Sequence, residues 1–268
     1  WSEVLAFIAV LCHNIRCIAI STQAYPYNGG MSVKKLPANT RKRMIMVLLA
    51  GALLLMLVRL LPDNGGAFAA AASKSGVCFV IDAGHGGPDG GTVGRAGTVE
   101  KDINLALTLK LRSWCDLFGI PYVLTRDSDR SLHSENADTL HKKKAEDLHR
   151  RLEIANTTEN GVYIGIHQNF YNDTLAHGAQ VFWSENMPQS RDLALTVQQS
   201  LAKSLGKYGL RSAASAPQTV YILKNALCPA VIVECGFLSN PEEEMLLNTD
   251  IWQSKIAMCI AYVMLGLT

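Results

Sequence analysis

From Gly76 to its end the chain alternates short β-branched runs with longer amphipathic ones. Strands are predicted at residues 77–82, 122–125, 162–166, 179–183, 220–223 and 230–234, and helices at 102–118, 137–156, 190–205 and 251–265. Strands separated by helix-length segments need crossover connections. The pattern therefore predicts a single α/β domain whose mostly parallel central sheet of about six strands is flanked by helices. In the first helix Ile103, Leu105, Leu107, Leu109, Leu111, Trp114, Leu117 and Phe118 give a broad apolar face, and Gly119 followed by Pro121 stops it. About 193 residues suffice for one such core, and no internal repeat or low-complexity segment interrupts it.

Charge divides the chain at the same place. Of 25 Lys plus Arg and 23 Asp plus Glu, residues 1–75 hold eight basic and two acidic, leaving 17 basic and 21 acidic for the remainder. The parts carry +6 and −4. A nucleic-acid binder concentrates basic charge on its folded domain, so no nucleic-acid partner is expected. In the leading part, Met31 precedes Lys34, Lys35, Arg41, Lys42 and Arg43, then an apolar run at 44–58 and a small-residue stretch at 67–73. That is the order of an export signal. Residues 31–75 read as a signal peptide or retained membrane anchor plus linker, with the following domain, 76–268, outside the cytoplasmic membrane. Residues 1–30 start with Trp1 and read as upstream or leader sequence, Met31 being the expected start.

Five cysteines fall in the domain: Cys78, Cys115, Cys228, Cys235 and Cys259. The number is odd, no CxxC occurs, and several lie in apolar elements, so buried free thiols are expected. Lys142, Lys143 and Lys144 read as a solvated helix face in preference to a surface for an anionic polymer.

Four places combine ionisable side chains with glycine or with the end of an apolar strand. His85 follows the first strand in a glycine-rich loop that lacks the GxGxxG and Lys-Ser/Thr signatures of nucleotide binding. Glu100 opens the first long helix, where a carboxylate could merely favour the helix dipole. His167 ends the strand at 162–166. Glu234 closes a fully apolar strand, where a carboxylate is costly to bury unless it is paired, metal-bound or engaged in proton chemistry. Carboxyl ends of parallel strands converge on the crevice where ligands sit. Two histidines and a carboxylate form one known ligand set of catalytic zinc, and a further carboxylate can take a proton from its water.

The stretches IDAGHGG (81–87), VEKDINL (99–105), LHRRLEIAN (148–156), IHQN (166–169) and VIVECGFLSN (231–240) resemble, in order, the motifs of the zinc-dependent N-acetylmuramoyl-L-alanine amidases of bacterial cell walls. The resemblance spans about 77–265. It implies His85, Glu100 and His167 as Zn2+ ligands, Glu234 as the catalytic carboxylate, and a structural or second-layer role for Arg151 and Asn156. The implied substrate is peptidoglycan, cut between N-acetylmuramic acid and L-alanine. The KKKAEDLHRR segment and the short chain with an apolar leader resemble the sporulation branch, which strips peptide from cortex glycan so that muramic lactam can form. Need for an activating protein partner stays open, as does membrane attachment through an uncleaved leader. The rival readings are a zinc carboxypeptidase or endopeptidase acting elsewhere on the stem peptide, and a non-catalytic peptidoglycan-binding module, whose usual mark is a missing ligand.

Overall fold

The computed structural model describes residues 76–268. The readings of 1–30 and 31–75 lie outside the described residues. Six strands, β1 (Cys78–Ala83), β2 (Tyr122–Leu124), β3 (Gly161–Asn169), β4 (Gln180–Trp183), β5 (Ala214–Ser215) and β6 (Ala230–Phe237), form one sheet. Their order is β2-β1-β3-β6-β4-β5. The first four in that order run parallel, while β4 lies antiparallel to β6 and parallel to β5. The helices are α1 (Glu100–Phe118), α2 (Leu140–Thr157), α3 (Pro188–Leu205), α4 (Tyr221–Asn225), α5 (Pro241–Leu247) and α6 (Asp250–Leu267). This is the single α/β domain with a mostly parallel sheet that the alternation predicts.

Local chemistry sets the helix limits. α1 carries Glu100 and Asp102 in its first turn, favourable at the positive end of the helix dipole. It ends where Gly119, at φ 66°, donates its backbone N–H to Cys115 O. α2 starts later than predicted because the Thr139 side chain accepts from Lys142 N at 3.2 Å and caps it. Among the described residues no helix is long and apolar enough to cross a membrane.

Strand alternation gives the sheet two unlike faces. Phe79, Ile81, Ile164, Ile166, Val231 and Val233 point to one side and meet Leu107, Leu111, Val197, Ile256 and Ile260 in a continuous apolar core. Each fully buried side chain of this size contributes about 1.5–3 kcal/mol. Val80, Tyr163 and Ile232 point to the other side, where they pack with Ala155, Ile222 and Leu223 in a smaller cluster. On that second face the next residues toward the carboxyl edge are Asp82, Gly165, His167 and Glu234. Cys115, Cys228, Cys235 and Cys259 are buried free thiols, and Cys78 is a partly buried one.

The predicted strand at 220–223 is instead the helix α4. Ile222, Leu223 and Ala226 are buried together on the second face, a helical spacing, and Lys224 N bonds Val220 O at 3.0 Å. The place beside β4 goes to β5, reached by Ala216 N donating to Trp183 O at 2.9 Å. The strands at 162–166 and 230–234 also run further than predicted, through Asn169 and Phe237, with a register shift between His167 and Asn169. His167 thus sits inside its strand rather than just beyond it, and Glu234 in the interior of its strand rather than at the end. The helix α5 went unread although its start is marked: Asn240 Oδ1 accepts from Glu242 N and Glu243 N at 3.0 and 3.1 Å, and Pro241 follows.

Candidate metal centre

His167 and Glu234 are register partners on β3 and β6, so their side chains leave the same face side by side. His85 comes from the loop after β1, and Glu100 from the first residue of α1. Glu100 Oε1 lies 3.3 Å from His85 Nε2 and 3.1 Å from His167 Nδ1. The two imidazoles meet edge to face at 5.1 Å. One ligand atom from each of the three residues falls within 4.8 Å of the others, a spacing that could hold a metal ion. Residues some 80 positions apart in sequence are brought together because β1 and β3 are neighbours.

Two glycines make the room. A Cβ on Gly84 would stand 2.2 Å from the His167 ring, so the end of β1 must be bare for that ring to lie across it. Gly91, at φ 69°, would drive a Cβ to 2.6 Å from Glu100 Oε2. His85 itself has φ 63°, a left-handed conformation that a side chain rarely adopts. Its carbonyl is pinned there by Arg151 Nη2 at 2.6 Å.

Arg151 belongs to a buried clamp beneath the loop. Its Nη1 bonds the Asp82 carboxylate and donates to Ala83 O at 2.8 Å, and its Nε bonds Asp147 at 2.6 Å. Arg126, fully buried, donates to Ala83 O at 2.8 Å, Gly84 O at 3.1 Å and Lys101 O at 2.8 Å. Three successive carbonyls leading to His85 are thereby held by two guanidinium groups. Asp82 also accepts from Thr125 and Tyr163, each at 2.5 Å. Burial would raise the Asp82 pKa, but Arg151 and these hydroxyls outweigh it and keep it below the ordinary carboxylate range. Asn156 lies elsewhere: its amide donates to Asn225 O at 3.3 Å and accepts from Leu227 N at 2.8 Å, tying α2 to the end of α4 and the segment after it. Asn156 thus bonds backbone groups away from the metal centre, whereas Arg151 holds the loop of His85.

Sequence reasoning assigned no role to several residues that complete the centre. Asp89 Oδ2 lies 3.0 Å from His85 Nδ1, a carboxylate orienting the ring from behind. Gln168 N and Thr92 N donate to the two oxygens of Glu100 at 3.1 and 2.9 Å. Asn104 bonds Gly84 O at 3.1 Å. From α5, Glu244 accepts from Ala96 N and Thr98 N, at 2.9 and 3.2 Å, fixing the loop before Glu100. Glu243 accepts from Gly178 N and Phe237 N, at 2.8 and 3.0 Å. A sequence signal existed for Arg126, a charge directly after an apolar strand, and for Asp89, four residues after His85. Nothing local marked the glutamates of α5 as buried.

The electrostatics separate two kinds of carboxylate. Burial disfavours an ionised Glu100, but His167 and His85 outweigh it and hold its pKa well below the usual range. The proton of His85 is disfavoured by burial, yet Asp89 and Glu100 raise its pKa to about 9. Glu234 is the opposite case, pushed up to about 7 chiefly by burial. Its Oε2 is buried with no hydrogen-bond partner. One carboxylate is therefore built to stay ionised between two imidazoles, and its neighbour to exchange a proton near neutrality. Cys235, on the opposite face, is buried and its thiol is raised well above the ordinary range by burial, which excludes a thiolate nucleophile.

Residues 79–264 match the family model described as N-acetylmuramoyl-L-alanine amidase. The germination-specific N-acetylmuramoyl-L-alanine amidase of Bacillus subtilis is 32% identical over 186 residues, 69% of this chain and 77% of that protein. The amidase AmiA of Escherichia coli is 28% identical over 246 residues, 75% of this chain and 80% of that one. Among solved structures, the CwlD amidase of Clostridioides difficile, in complex with the GerS lipoprotein, superposes with a TM-score of 0.68 and 36% identity, covering 71% of this chain and 98% of that one.

Proposed function

Because the chain belongs to the N-acetylmuramoyl-L-alanine amidase family, we propose that it is a zinc enzyme of spore cortex maturation, cutting the muramoyl–alanine amide of peptidoglycan outside the cytoplasmic membrane. The observation that carries this reading is the convergence of His85 Nε2 and His167 Nδ1 on one Glu100 oxygen, at 3.3 and 3.1 Å, beside a buried Glu234 oxygen without a partner. Two imidazoles and a carboxylate fit the donor preference of zinc and leave a coordination position for reactants. His85, Glu100 and His167 would hold the ion, and Glu234 would not. Zinc, when bound there, supplies Lewis-acid polarisation of the amide carbonyl and acidifies a water molecule.

The rest of the work falls to side chains of this chain. Glu234 takes the proton of the attacking water and returns it to the departing L-alanine nitrogen. Its unpartnered Oε2 leaves it free to do both, and burial holds its pKa near the pH at which acceptance and donation are balanced. A cation among its neighbours favours the ionised form needed for the first step. Asp89 keeps the Nε2 edge of His85 turned toward Glu100, and Arg151 with Arg126 prevents the loop from relaxing.

Support for the sporulation role is the likeness to a germination-specific amidase and to CwlD. The complex of that CwlD with a lipoprotein supports a protein partner here. Placement outside the membrane, through a cleaved signal or a retained anchor, rests on the basic cluster before the apolar run at 44–58. The test is a peptidoglycan digest analysed by mass spectrometry, alongside the metal content of the purified protein. Free peptides beginning with L-alanine and about one zinc per chain are expected. Trimmed peptides still joined to muramic acid would replace this reading with a stem-peptide peptidase.

A further inference from the structure

The three ammonium groups of Lys142, Lys143 and Lys144 have unequal surroundings. Lys142 pairs with Asp138 at 2.9 Å, and Lys144 approaches Asp89 at 3.4 Å. Lys143 pairs with no carboxylate among the described residues. It lines a small cavity of about 130 Å³ with Pro88, Ser131, Leu140, Asp89 and Asp147. Both of the cavity's carboxylates are already engaged. Asp147 is held by Arg151 Nε at 2.6 Å, Leu132 N at 2.8 Å and Ser131 Oγ at 3.0 Å. Asp89 faces His85 at 3.0 Å and accepts from Gly91 N at 3.2 Å, in addition to Lys144. The cavity thus offers an incoming group one uncommitted positive charge in a lining that also includes the apolar Pro88 and Leu140. Its complement is an anion.

The cavity adjoins the metal centre through Asp89, which touches His85. A substrate with its reacting amide at that centre extends in two directions, as a glycan of uncharged N-acetylated sugars and as a peptide bearing carboxylates. Resting on the amidase reading, we propose that Lys143 forms a subsite for a carboxylate of the stem peptide and so sets which limb of the substrate lies over Pro88 and Leu140. Lys144, held by Asp89, stiffens the wall of this subsite.

The full chain carrying Glu234→Gln, which binds without turnover, is titrated by calorimetry with N-acetylmuramoyl-L-alanyl-D-glutamate and with its diamide. The diacid is expected to bind about three- to tenfold more tightly than the diamide, with the gap narrowing as salt rises. Adding Lys143→Gln removes that preference and leaves diamide affinity unchanged, and Lys143→Arg keeps it. Equal weakening of both ligands by Lys143→Gln, or a preference that survives it, overturns the subsite. The peptidoglycan digest reads the underlying activity separately. L-alanine-ended peptides without a Lys143-dependent preference sink the subsite alone, and the preference without such peptides supports an anion subsite while removing the amidase reading.

Discussion

The two faces of the central sheet are cut from the same strands β1, β3 and β6, yet they are built on opposite principles. Toward α1, α3 and α6 the strands present Phe79, Ile81, Ile164, Ile166, Val231 and Val233 to a largely apolar core without buried charge pairs among the described residues. Toward α2 and α4 they begin equally apolar, with Val80, Tyr163 and Ile232, and then turn ionic through Asp82, His167 and Glu234. The first face draws its stability from area removed from water, which is non-directional. The second spends buried charges on geometry: Asp82, Arg151, Arg126 and Asp147 are all nearly inaccessible, tolerable because Arg151 pairs with both aspartates and Arg126 is satisfied by backbone carbonyls. A domain can place reactive groups on one face when the other supplies enough cohesion to carry the cost.

That contrast can be broken by four substitutions and one titration. The largest change is expected from Glu234→Gln, with turnover of peptidoglycan falling about 10²- to 10⁴-fold while zinc content by atomic absorption stays unchanged. Turnover near the wild-type rate would remove Glu234 from the reaction. Arg151→Met leaves Asp82 and Asp147 without their main cation and should cost about 3–5 kcal/mol in urea unfolding. It should also weaken metal binding, because the His85 carbonyl loses its anchor. Leu111→Ala, on the apolar face, should cost about 2–5 kcal/mol with metal affinity and kcat intact. If Leu111→Ala disturbed the metal centre as much as Arg151→Met, the division of labour between the faces would not hold.

A pH titration sharpens the ionic side. In chelator-treated protein His85 is protonated up to about 9 through Asp89 and Glu100. A histidine whose folded pKa is raised stabilises the fold fully below its unfolded pKa of about 6.5, and that contribution disappears as pH rises through about 9. Metal must displace this proton, so apparent zinc affinity should rise by up to about tenfold per pH unit until about pH 9 and then level off. A flat affinity profile between pH 6 and 9 would contradict the His85–Asp89–Glu100 arrangement. The smallest effect belongs to Asn156→Ala, about 1 kcal/mol from two lost hydrogen bonds at the edge of the second face, with activity unaltered.

Much of this was legible in residues alone, for identifiable reasons. Apolar periodicity located five of the six strands and the four long helices, since burial on one face repeats at intervals fixed by backbone geometry. Residue chemistry picked out His85, Glu100, His167 and Glu234, because ionisable groups beside apolar strands stand out against their surroundings. The segment 220–223 misled because a short β-branched run has no period long enough to distinguish strand from helix. Glu243 and Glu244 were invisible for a different reason: in a run of three glutamates nothing local tells which carboxylates turn inward to accept backbone N–H groups from distant loops. Asn156 stood in a motif beside Arg151, but only position in the fold sends one to the far end of α2 and the other under the reactive loop.

By itself, then, the sequence determined the α/β class, the order of most elements, the family and the chemical kinds of side chain available for a metal and a proton. Tertiary structure decided which carboxylate stays ionised and which exchanges a proton near neutrality, which arginine secures the left-handed His85, and which of three adjacent lysines keeps an uncommitted charge. The physical reason is that periodicity and residue type are local properties, carried by neighbours along the chain. Desolvation and charge pairing depend instead on distances between atoms many residues apart, such as Asp82 and Arg151 or Glu100 and His167, and those distances exist only once β1, β3 and β6 lie side by side.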